Sequence, residues 1–112
     1  MKVVQINREL MKGSLELLLL AVLEQEPMYG YQIVKEVRVS SQDVLQLKEG
    51  SLYPALHRLE NAGLVTSAWQ TRDDGSPRRY YQLTHLGREA VRARRQEWQM
   101  FTSAIEGVLR HA

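Results

Sequence analysis

The stretch EGSLYPALHRLENAGLV, residues 49–65 of this 112-residue chain, carries the signals that decide the fold. Ser51 is a good helix N-cap, because its hydroxyl can accept a hydrogen bond from an unpaired backbone N–H group. Pro54 falls in the first turn, where proline removes no internal hydrogen bond, and Gly63 suits the left-handed residue that follows many helices. The stretch therefore predicts a helix that follows Ser51 as its N-cap and ends before Gly63.

The two faces of this helix differ in chemistry. At about 100° per residue, one face is apolar and is expected to pack in the core: Leu52, Ala55, Leu56, Leu59 and Ala62. The opposite face is mostly polar: Tyr53, Pro54, His57, Arg58, Glu60 and Asn61. Such a face fits the major groove of B-DNA, although it is also typical of a solvated helix. The DNA contacts predicted from this helix are those of Ser51, Tyr53, Pro54, His57 and Arg58.

A β-hairpin is predicted next. Two short extended runs, residues 64–70 and 79–83, flank the dipeptide Asp74-Gly75, which is a strong turn signal. Basic residues stand beside the turn and before the preceding helix, and we predict that they contact phosphate or the minor groove: Lys48, Arg72, Arg78 and Arg79. The alternative is that they are ordinary solubilising charges. The net charge of +2 does not decide between the two, so the positions of the basic groups must.

Two other segments carry more apolar surface than a small chain easily covers. The segment SLELLLLAVL, residues 14–23, is apolar on nearly every side, and a helix of this kind must be buried all round. The last helix, about residues 85–110 with Thr84 as its cap, has an apolar stripe of about 160°. We expect a second subunit to cover both; the alternative for the first is a central helix of a monomer. The predicted dimer interface is Leu15, Leu18, Leu19, Val22, Val91, Trp98, Phe101, Ile105, Val108 and Leu109.

The order of these elements defines the predicted architecture. Helices at about residues 14–25 and 30–39 precede the helix at Ser51, and the hairpin and the long last helix follow. Three helices followed by a basic hairpin are typical of winged-helix domains. We therefore predict a mainly α fold with a small β-hairpin, in which residues 1–83 form a winged helix-turn-helix DNA-binding domain and residues 84–112 form a C-terminal dimerisation helix.

Composition disfavours several classes of function. Cysteine is absent, which excludes disulfides, thiolate zinc sites and cysteine nucleophiles. The three histidines are scattered, with no serine or carboxylate in a recognisable catalytic pattern, so we expect neither an enzyme nor a metal or cofactor site. The longest apolar run, residues 17–23, is far shorter than the roughly 20 residues of a membrane span. Since the N-terminus also lacks a signal-peptide pattern, we expect a cytoplasmic protein.

Four separated motifs, in this order, closely resemble those of the PadR-type transcriptional regulators. They are KGSLELLLLAVL (12–23), YGYQI (29–33), EGSLYPALHRLENAGLV (49–65) and RRYYQLTHLG (78–87). The resemblance covers roughly residues 9–110 and implies a bacterial winged-helix regulator, usually a repressor, that dimerises through its C-terminal helix. The single helix after the wing resembles the compact subgroup of the family. Namesakes of the family respond to small phenolic or drug-like molecules.

Trp98 lies at the margin of the apolar stripe of the last helix. In a two-fold dimer, tryptophans from both chains can face each other and form a flat aromatic clamp for a planar ligand. Compact relatives with a tryptophan here bind flat hydrophobic compounds, so the resemblance implies the same for this chain. We predict an effector site at Trp98, Phe101 and Met100; the alternative is an ordinary core or interface tryptophan.

The predicted function combines these patterns with the resemblance. It is a homodimeric repressor that binds an inverted-repeat operator in double-stranded DNA and is released by a planar hydrophobic small molecule. The alternative from another class is a winged-helix protein–protein interaction module that does not bind DNA. A DNA affinity that falls steeply with salt concentration separates the two.

Overall fold

Four helices and a small antiparallel sheet make up the computed structural model, which describes residues 8–111. In chain order the elements are α1 (Arg8–Leu23), β1 (Met28–Tyr29), α2 (Gly30–Ser40), α3 (Glu49–Asn61), β2 (Val65–Thr71), β3 (Pro77–Leu83) and α4 (His85–His111). The predicted fold class, a mainly α winged helix with a β-hairpin, is confirmed. The first helix begins earlier than predicted, at Arg8. It also ends earlier, at Leu23, because the chain turns between Leu23 and Pro27.

α1 runs through the middle of the molecule and contacts α2, α3, α4 and β3. Leu19 has no exposed surface, and Leu15 and Val22 are only 7% and 8% exposed. These side chains belong to the chain's own core, so the prediction that they form a dimer interface is wrong. Val91 of α4 is fully buried in the same core and is excluded for the same reason. An apolar pattern shows that a helix is buried but not what buries it. Of the predicted interface residues in α1, only the half-buried Leu18 remains within reach of a partner.

The predicted hairpin forms the main part of the sheet. β2 and β3 pair antiparallel, with Val65 opposite Leu83 near the core and Thr71 opposite Pro77 near the turn. Val65 and Leu83 are buried, whereas the strands are increasingly exposed toward the turn. The hairpin therefore projects from the core as a wing.

β1 is a strand that the sequence did not predict. It has only two residues, Met28 and Tyr29, which are too few to show an alternating pattern. They pair with Tyr81 and Tyr80 of β3, so β3 lies in the centre of the sheet order β1-β3-β2. Tyr81 is buried, and burial raises the pKa of its phenol. β1 thereby joins the start of α2 to the wing.

α3 begins before its predicted cap. Its N-cap is Lys48, whose carbonyl oxygen accepts a hydrogen bond from the Leu52 N–H at 2.9 Å and whose side chain makes no capping bond. The prediction that Ser51 caps this helix is therefore wrong. Ser51 lies inside the first turn together with Glu49, an acidic residue that the positive end of the helix dipole favours there.

The end of α3 is the predicted glycine stop. Gly63 has a φ of 76°, in the left-handed region. Its N–H donates to the Glu60 carbonyl at 3.0 Å, and the Leu64 N–H donates to the Leu59 carbonyl at 2.9 Å. This pair of bonds is the Schellman motif, which satisfies the last carbonyls of the helix and turns the chain into β2.

The start of α4 is fixed to the end of α3. The hydroxyl of Thr84 accepts a hydrogen bond from the Gly87 N–H at 3.0 Å and donates to the Gly63 carbonyl at 2.6 Å. The predicted Thr84 cap is thus confirmed. A Cβ atom at position 87 would lie 2.0 Å from the Leu64 carbonyl oxygen, so only glycine permits this close approach.

Candidate DNA-binding surface and interhelical groove

The predicted base-reading residues of α3 do not all point the same way. Pro54 and His57 are exposed on the side away from the core, whereas Tyr53 and Arg58 lie on its flanks. The Tyr53 side chain, 45% exposed, lies across the first turn of α2. A Cβ atom at Gly30 would come within 2.2 Å of the Tyr53 hydroxyl oxygen. Glycine at this position therefore allows α2 and α3 to lie in contact through the tyrosine ring.

Arg58 leans toward α1. Its Nε atom lies 3.9 Å from Glu16 Oε2, and Arg94 Nη1 lies 3.8 Å from Glu16 Oε1. Glu16 thus stands between α3 and α4. Long, half-exposed ion pairs of this kind contribute about 0–1 kcal/mol, so Arg58 exchanges this contact for another anion at little cost.

The N-terminal end of α3 carries Lys48 and Ser51, both exposed. Backbone N–H groups and the positive end of the helix dipole favour an anion at such a position. Glu49 lies in the same turn and opposes this preference with its own negative charge. We therefore expect Lys48 to be the main phosphate contact of the two.

The tip of the wing is a tight turn. Gly75 has a φ of 86°, its N–H donates to the Arg72 carbonyl at 2.8 Å, and the Arg72 N–H donates to the Ser76 carbonyl at 2.9 Å. The Asp74 carboxylate accepts bonds from the Ser76 hydroxyl at 2.5 Å and from the Ser76 N–H at 2.9 Å. These bonds lower the pKa of Asp74, with smaller contributions from Arg72 and Arg78. Asp74 is thus a structural residue of the turn, which explains an acidic group among the arginines.

Arg72 and Arg78 meet at one tyrosine. Their Cζ atoms lie 5.4 Å and 5.5 Å from the centroid of the Tyr29 ring, and Arg72 Nη1 donates to the Tyr29 hydroxyl at 3.2 Å. Arg72 is exposed and Arg78 is half-exposed. The structure therefore brings two of the predicted phosphate-contacting arginines together at the start of α2.

Arg79 is engaged elsewhere. Its Nε donates to Ser67 Oγ at 2.9 Å, and its Nη2 lies 3.4 Å from Glu60 Oε1. The Ser67 hydroxyl donates to Glu60 Oε2 at 2.6 Å and completes the network between β2, β3 and α3. Since a carboxylate already balances its charge, we expect Arg79 to contribute less to phosphate binding than the arginines near the turn.

Sequence reasoning missed the residues that support this surface. Tyr29 and Gly30 stand in the motif YGYQI, where a glycine at the start of a helix was a signal of close approach. The contact between Tyr29 and Arg72 joins residues 43 positions apart, and no local pattern reveals it. Trp69 was also missed: it is 66% exposed on β2, opposite Arg79.

A groove of about 270 Å³ lies between α1 and α4. It is lined by Gly13, Glu16, Leu17, Arg94, Glu97, Trp98 and Phe101. The Trp98 and Phe101 rings are 6.1 Å apart between centroids and inclined by 42°, so they present two aromatic surfaces to the groove. Glu16 and Glu97 add carboxylates, which sequence reasoning did not associate with this site.

The structure does not place Met100 with the other predicted effector residues. Its side chain is 74% exposed and does not line the groove. Residues two apart on a helix face different directions, so Met100 points away from the side that Trp98 occupies. In the single chain, the predicted site therefore reduces to Trp98 and Phe101.

The second half of α4 exposes a row of large apolar side chains. Beyond Val91, none of the described residues of this helix is buried. The exposed set includes Trp98, Phe101, Ile105, Val108 and Leu109, with exposed fractions from 40% to 70%. These are the predicted interface residues that the chain's own core does not cover.

Within residues 8–111, no group of histidine, aspartate and glutamate side chains is arranged to hold a metal ion. None of the helices described is both long enough and apolar enough to cross a membrane.

Comparisons with known proteins agree with this geometry. Residues 19–93 match the family model described as the transcriptional regulator PadR-like family. The chain is 34% identical over 84 residues to the transcriptional regulator Rv3488 of Mycobacterium tuberculosis, a match that covers 75% of each protein.

Solved structures of similar fold include a transcriptional regulator from Clostridium thermocellum, with a TM-score of 0.82 and 27% identity over 91% of this chain and 96% of that one. A PadR family transcriptional regulator from Eggerthella lenta has a TM-score of 0.78 and 33% identity, over 90% of this chain and 86% of that one. The resemblance seen in the sequence motifs is thus confirmed, and the chain belongs to the PadR-like family of transcriptional regulators.

Proposed function

We propose that this transcriptional regulator is a cytoplasmic homodimeric repressor that binds double-stranded DNA and is released by a planar small molecule. Residues 1–83 form its DNA-binding domain, and residues 84–112 its dimerisation helix. The observation that carries the proposal is the linked surface of α3, α2 and the wing. Tyr53 joins α3 to Gly30, and the adjacent Tyr29 joins α2 to the wing arginines.

DNA contact is supported by the chemistry of this linked surface. α3 presents exposed Pro54 and His57, with Tyr53 and Arg58 beside them, and a helix of this kind fits the major groove. Lys48 at its start, and Arg72 and Arg78 on the wing, supply positive charge for phosphates. Base contacts by α3 give sequence preference, while the wing arginines give affinity for any sequence.

A homodimer is supported by the exposed apolar row of α4. Solvent exposure of Phe101, Ile105, Val108 and Leu109 is unfavourable by about 25 cal/mol for each Å² of apolar surface. A second copy of the same helix, related by a two-fold axis, covers the row with an identical surface. The two DNA-binding units then meet half-sites of an inverted repeat, spaced by about 10 bp or a small multiple of it.

Effector release is supported by the groove between α1 and α4. Trp98 and Phe101 offer flat apolar surfaces, and Glu16 in the same groove pairs with Arg58 of α3. A planar ligand that displaces Glu16 changes the surroundings of Arg58 and the spacing of α1 and α4. Both changes act on the presentation of α3 to DNA.

A DNA-binding titration at several salt concentrations tests the proposal. We expect the regulator to bind the DNA upstream of its own gene, with log affinity falling against log salt by about 0.9 for each phosphate contacted. His57→Ala is expected to weaken binding to this DNA more than to random DNA, because base contacts carry the preference. Arg72→Ala is expected to weaken both equally. No salt-dependent binding to any duplex would refute DNA binding and favour the protein–protein interaction module.

A fluorescence titration tests the effector site. The chain has two tryptophans, so Trp69→Phe leaves Trp98 as the only indole reporter. Planar aromatic compounds are expected to quench this variant and to lower its DNA affinity. The reciprocal variant, Trp98→Phe, is the control and is expected to lose both responses. Equal quenching in the two variants, or quenching without a change in DNA affinity, would contradict effector release through this groove.

A further inference from the structure

Tyr29 lies where β1 ends and α2 begins, and both arginines near the wing turn converge on it. Arg72 and Arg78 place their guanidinium carbons 5.4 Å and 5.5 Å from the centroid of the ring. Arg72 also donates a hydrogen bond of 3.2 Å to the phenol oxygen. A guanidinium group within about 6 Å of an aromatic centroid is attracted by the ring quadrupole. One tyrosine thus holds two cations from opposite sides of the wing turn, Arg72 just after β2 and Arg78 in β3.

Two guanidinium groups held near each other repel, so their arrangement needs an opposing attraction. The Tyr29 ring supplies one source, and the negative charge of Asp74 acts on both arginines. Asp74 is itself fixed by its bonds to Ser76. The pair is therefore stabilised from the side of α2 and from the side of the turn.

Tyr29 is itself anchored by several elements. The backbone of Tyr29 pairs with that of Tyr80 between β1 and β3. The two tyrosine rings pack edge-on, with 5.4 Å between their centroids. Its backbone N–H donates to Gln32 Oε1 at 3.0 Å. The next residue, Gly30, receives the Tyr53 side chain of α3. The tyrosine therefore fixes the arginines relative to α3 and not only relative to the wing.

We infer that Tyr29 is a positioning residue that holds Arg72 and Arg78 as a preorganised pair for the DNA phosphate backbone. The inference rests on the proposed DNA binding. Long arginine side chains lose conformational freedom when they bind, and the tyrosine imposes part of that loss before DNA arrives. Tyr29 therefore acts through the arginines and raises affinity for all sequences alike.

Fluorescence anisotropy with operator and random duplexes measures the effect. Tyr29→Leu is expected to weaken binding to both by about tenfold, as two cation–π contacts and a hydrogen bond are lost. Tyr29→Phe keeps the ring and the fold and is expected to lose only about two- to threefold. Tyr31→Leu, at an exposed tyrosine of α2, is the matched control and is expected to bind within twofold of the parent.

A double-mutant cycle separates positioning from general support of the fold. In a chain that already carries Arg72→Ala and Arg78→Ala, Tyr29→Leu is expected to cause no further loss of affinity. A full tenfold loss in that background would show that the tyrosine acts without the arginines and would overturn the inference. Undiminished binding by Tyr29→Leu in the parent chain would overturn it as well.

An NMR readout without DNA completes the test. In the free protein, the Cδ protons of Arg72 and Arg78 are expected to be shifted by the ring current of Tyr29, and to move toward ordinary arginine values in Tyr29→Leu but not in Tyr31→Leu. Ordinary values in the parent chain would contradict the preorganised pair. Shifted arginines in a parent chain that binds no DNA would refute the proposed function and, with it, the phosphate role, while the tyrosine–arginine geometry would stand.

Discussion

α1 and α4 both carry wide apolar surfaces, but the fold treats them differently. α1 lies at the centre and has Leu19 fully buried among the other helices and β3. α4 contributes Val91 to that core and then continues with Ile105 44% exposed and Leu109 70% exposed. The same kind of sequence pattern thus marks a core helix in one case and uncovered surface in the other. The position of a helix in the fold decides which.

The largest effect is expected from shortening a core side chain of α1. Leu19→Ala removes a fully buried side chain and should lower the free energy of unfolding by about 3 kcal/mol, because the cavity only partly collapses. Urea denaturation measures the change. Leu86→Ala, at a leucine that is 57% exposed, is the matched control and should change stability by less than about 1 kcal/mol. Similar losses in the two variants would remove the contrast between core and surface leucines.

A smaller effect, of a different kind, is expected from a charge in the exposed row of α4. Ile105→Asp should weaken the dimer by about 100-fold, or about 2–3 kcal/mol, because a carboxylate at a two-fold interface must be desolvated. Circular dichroism should show that the helices remain. Ser103→Asp places the same charge at an exposed site on another side of the helix and should leave the dimer intact. An unchanged dimer in Ile105→Asp would move the interface away from this row.

The start of α4, where it packs against Leu64 after the end of α3, is expected to tolerate little added volume. Gly87→Ala places a methyl group 2.0 Å from the Leu64 carbonyl oxygen and should cost about 1–3 kcal/mol as α4 shifts. Gly107→Ala, in the same helix with open space around it, should be neutral or stabilising by up to about 1 kcal/mol. Thermal unfolding of both variants measures the difference. Equal melting temperatures would mean that the start of α4 is not closely held.

The smallest effect is expected from an ion pair that joins the turn after α1 to α4. Arg95 donates a hydrogen bond to the Glu24 carboxylate, and this contact raises the pKa of Arg95. Because both side chains are substantially exposed, Glu24→Gln should cost less than about 1 kcal/mol. The cost should shrink further in 1 M salt. Glu26→Gln, at an exposed neighbour, is the control; a loss above 2 kcal/mol in Glu24→Gln alone would contradict a weak surface pair.

The sequence was most informative where the cause of a structure is local. Gly63, Thr84 and the dipeptide Asp74-Gly75 each specify a stop, a cap or a turn through their own backbone or side chain, and each lies where predicted. Ser51 was wrongly predicted to be the cap of α3, because several residues near the start of a helix can serve as its cap. α3 begins at Glu49 with Lys48 as its N-cap, so the start of the helix depends on several neighbouring residues and not on Ser51 alone.

The sequence was least informative about contacts between distant segments. Periodicity correctly predicted that α1 is buried. It did not reveal that Leu15, Leu19 and Val22 are buried by the rest of the same chain and not by a second subunit. The candidate DNA-binding residues were found by type and position. The contacts of Arg79 with Glu60 and of Arg72 with Tyr29 form only in the tertiary structure, so the sequence did not predict them.

Sedimentation equilibrium of the unmodified chain at micromolar concentrations tests the central claim most directly. If the exposed row of α4 joins two copies, the measured mass should be twice the 13.0 kDa of one chain. A folded species of 13.0 kDa at concentrations that saturate operator DNA would contradict the account, because a single copy would then present only one α3 and one wing to the duplex.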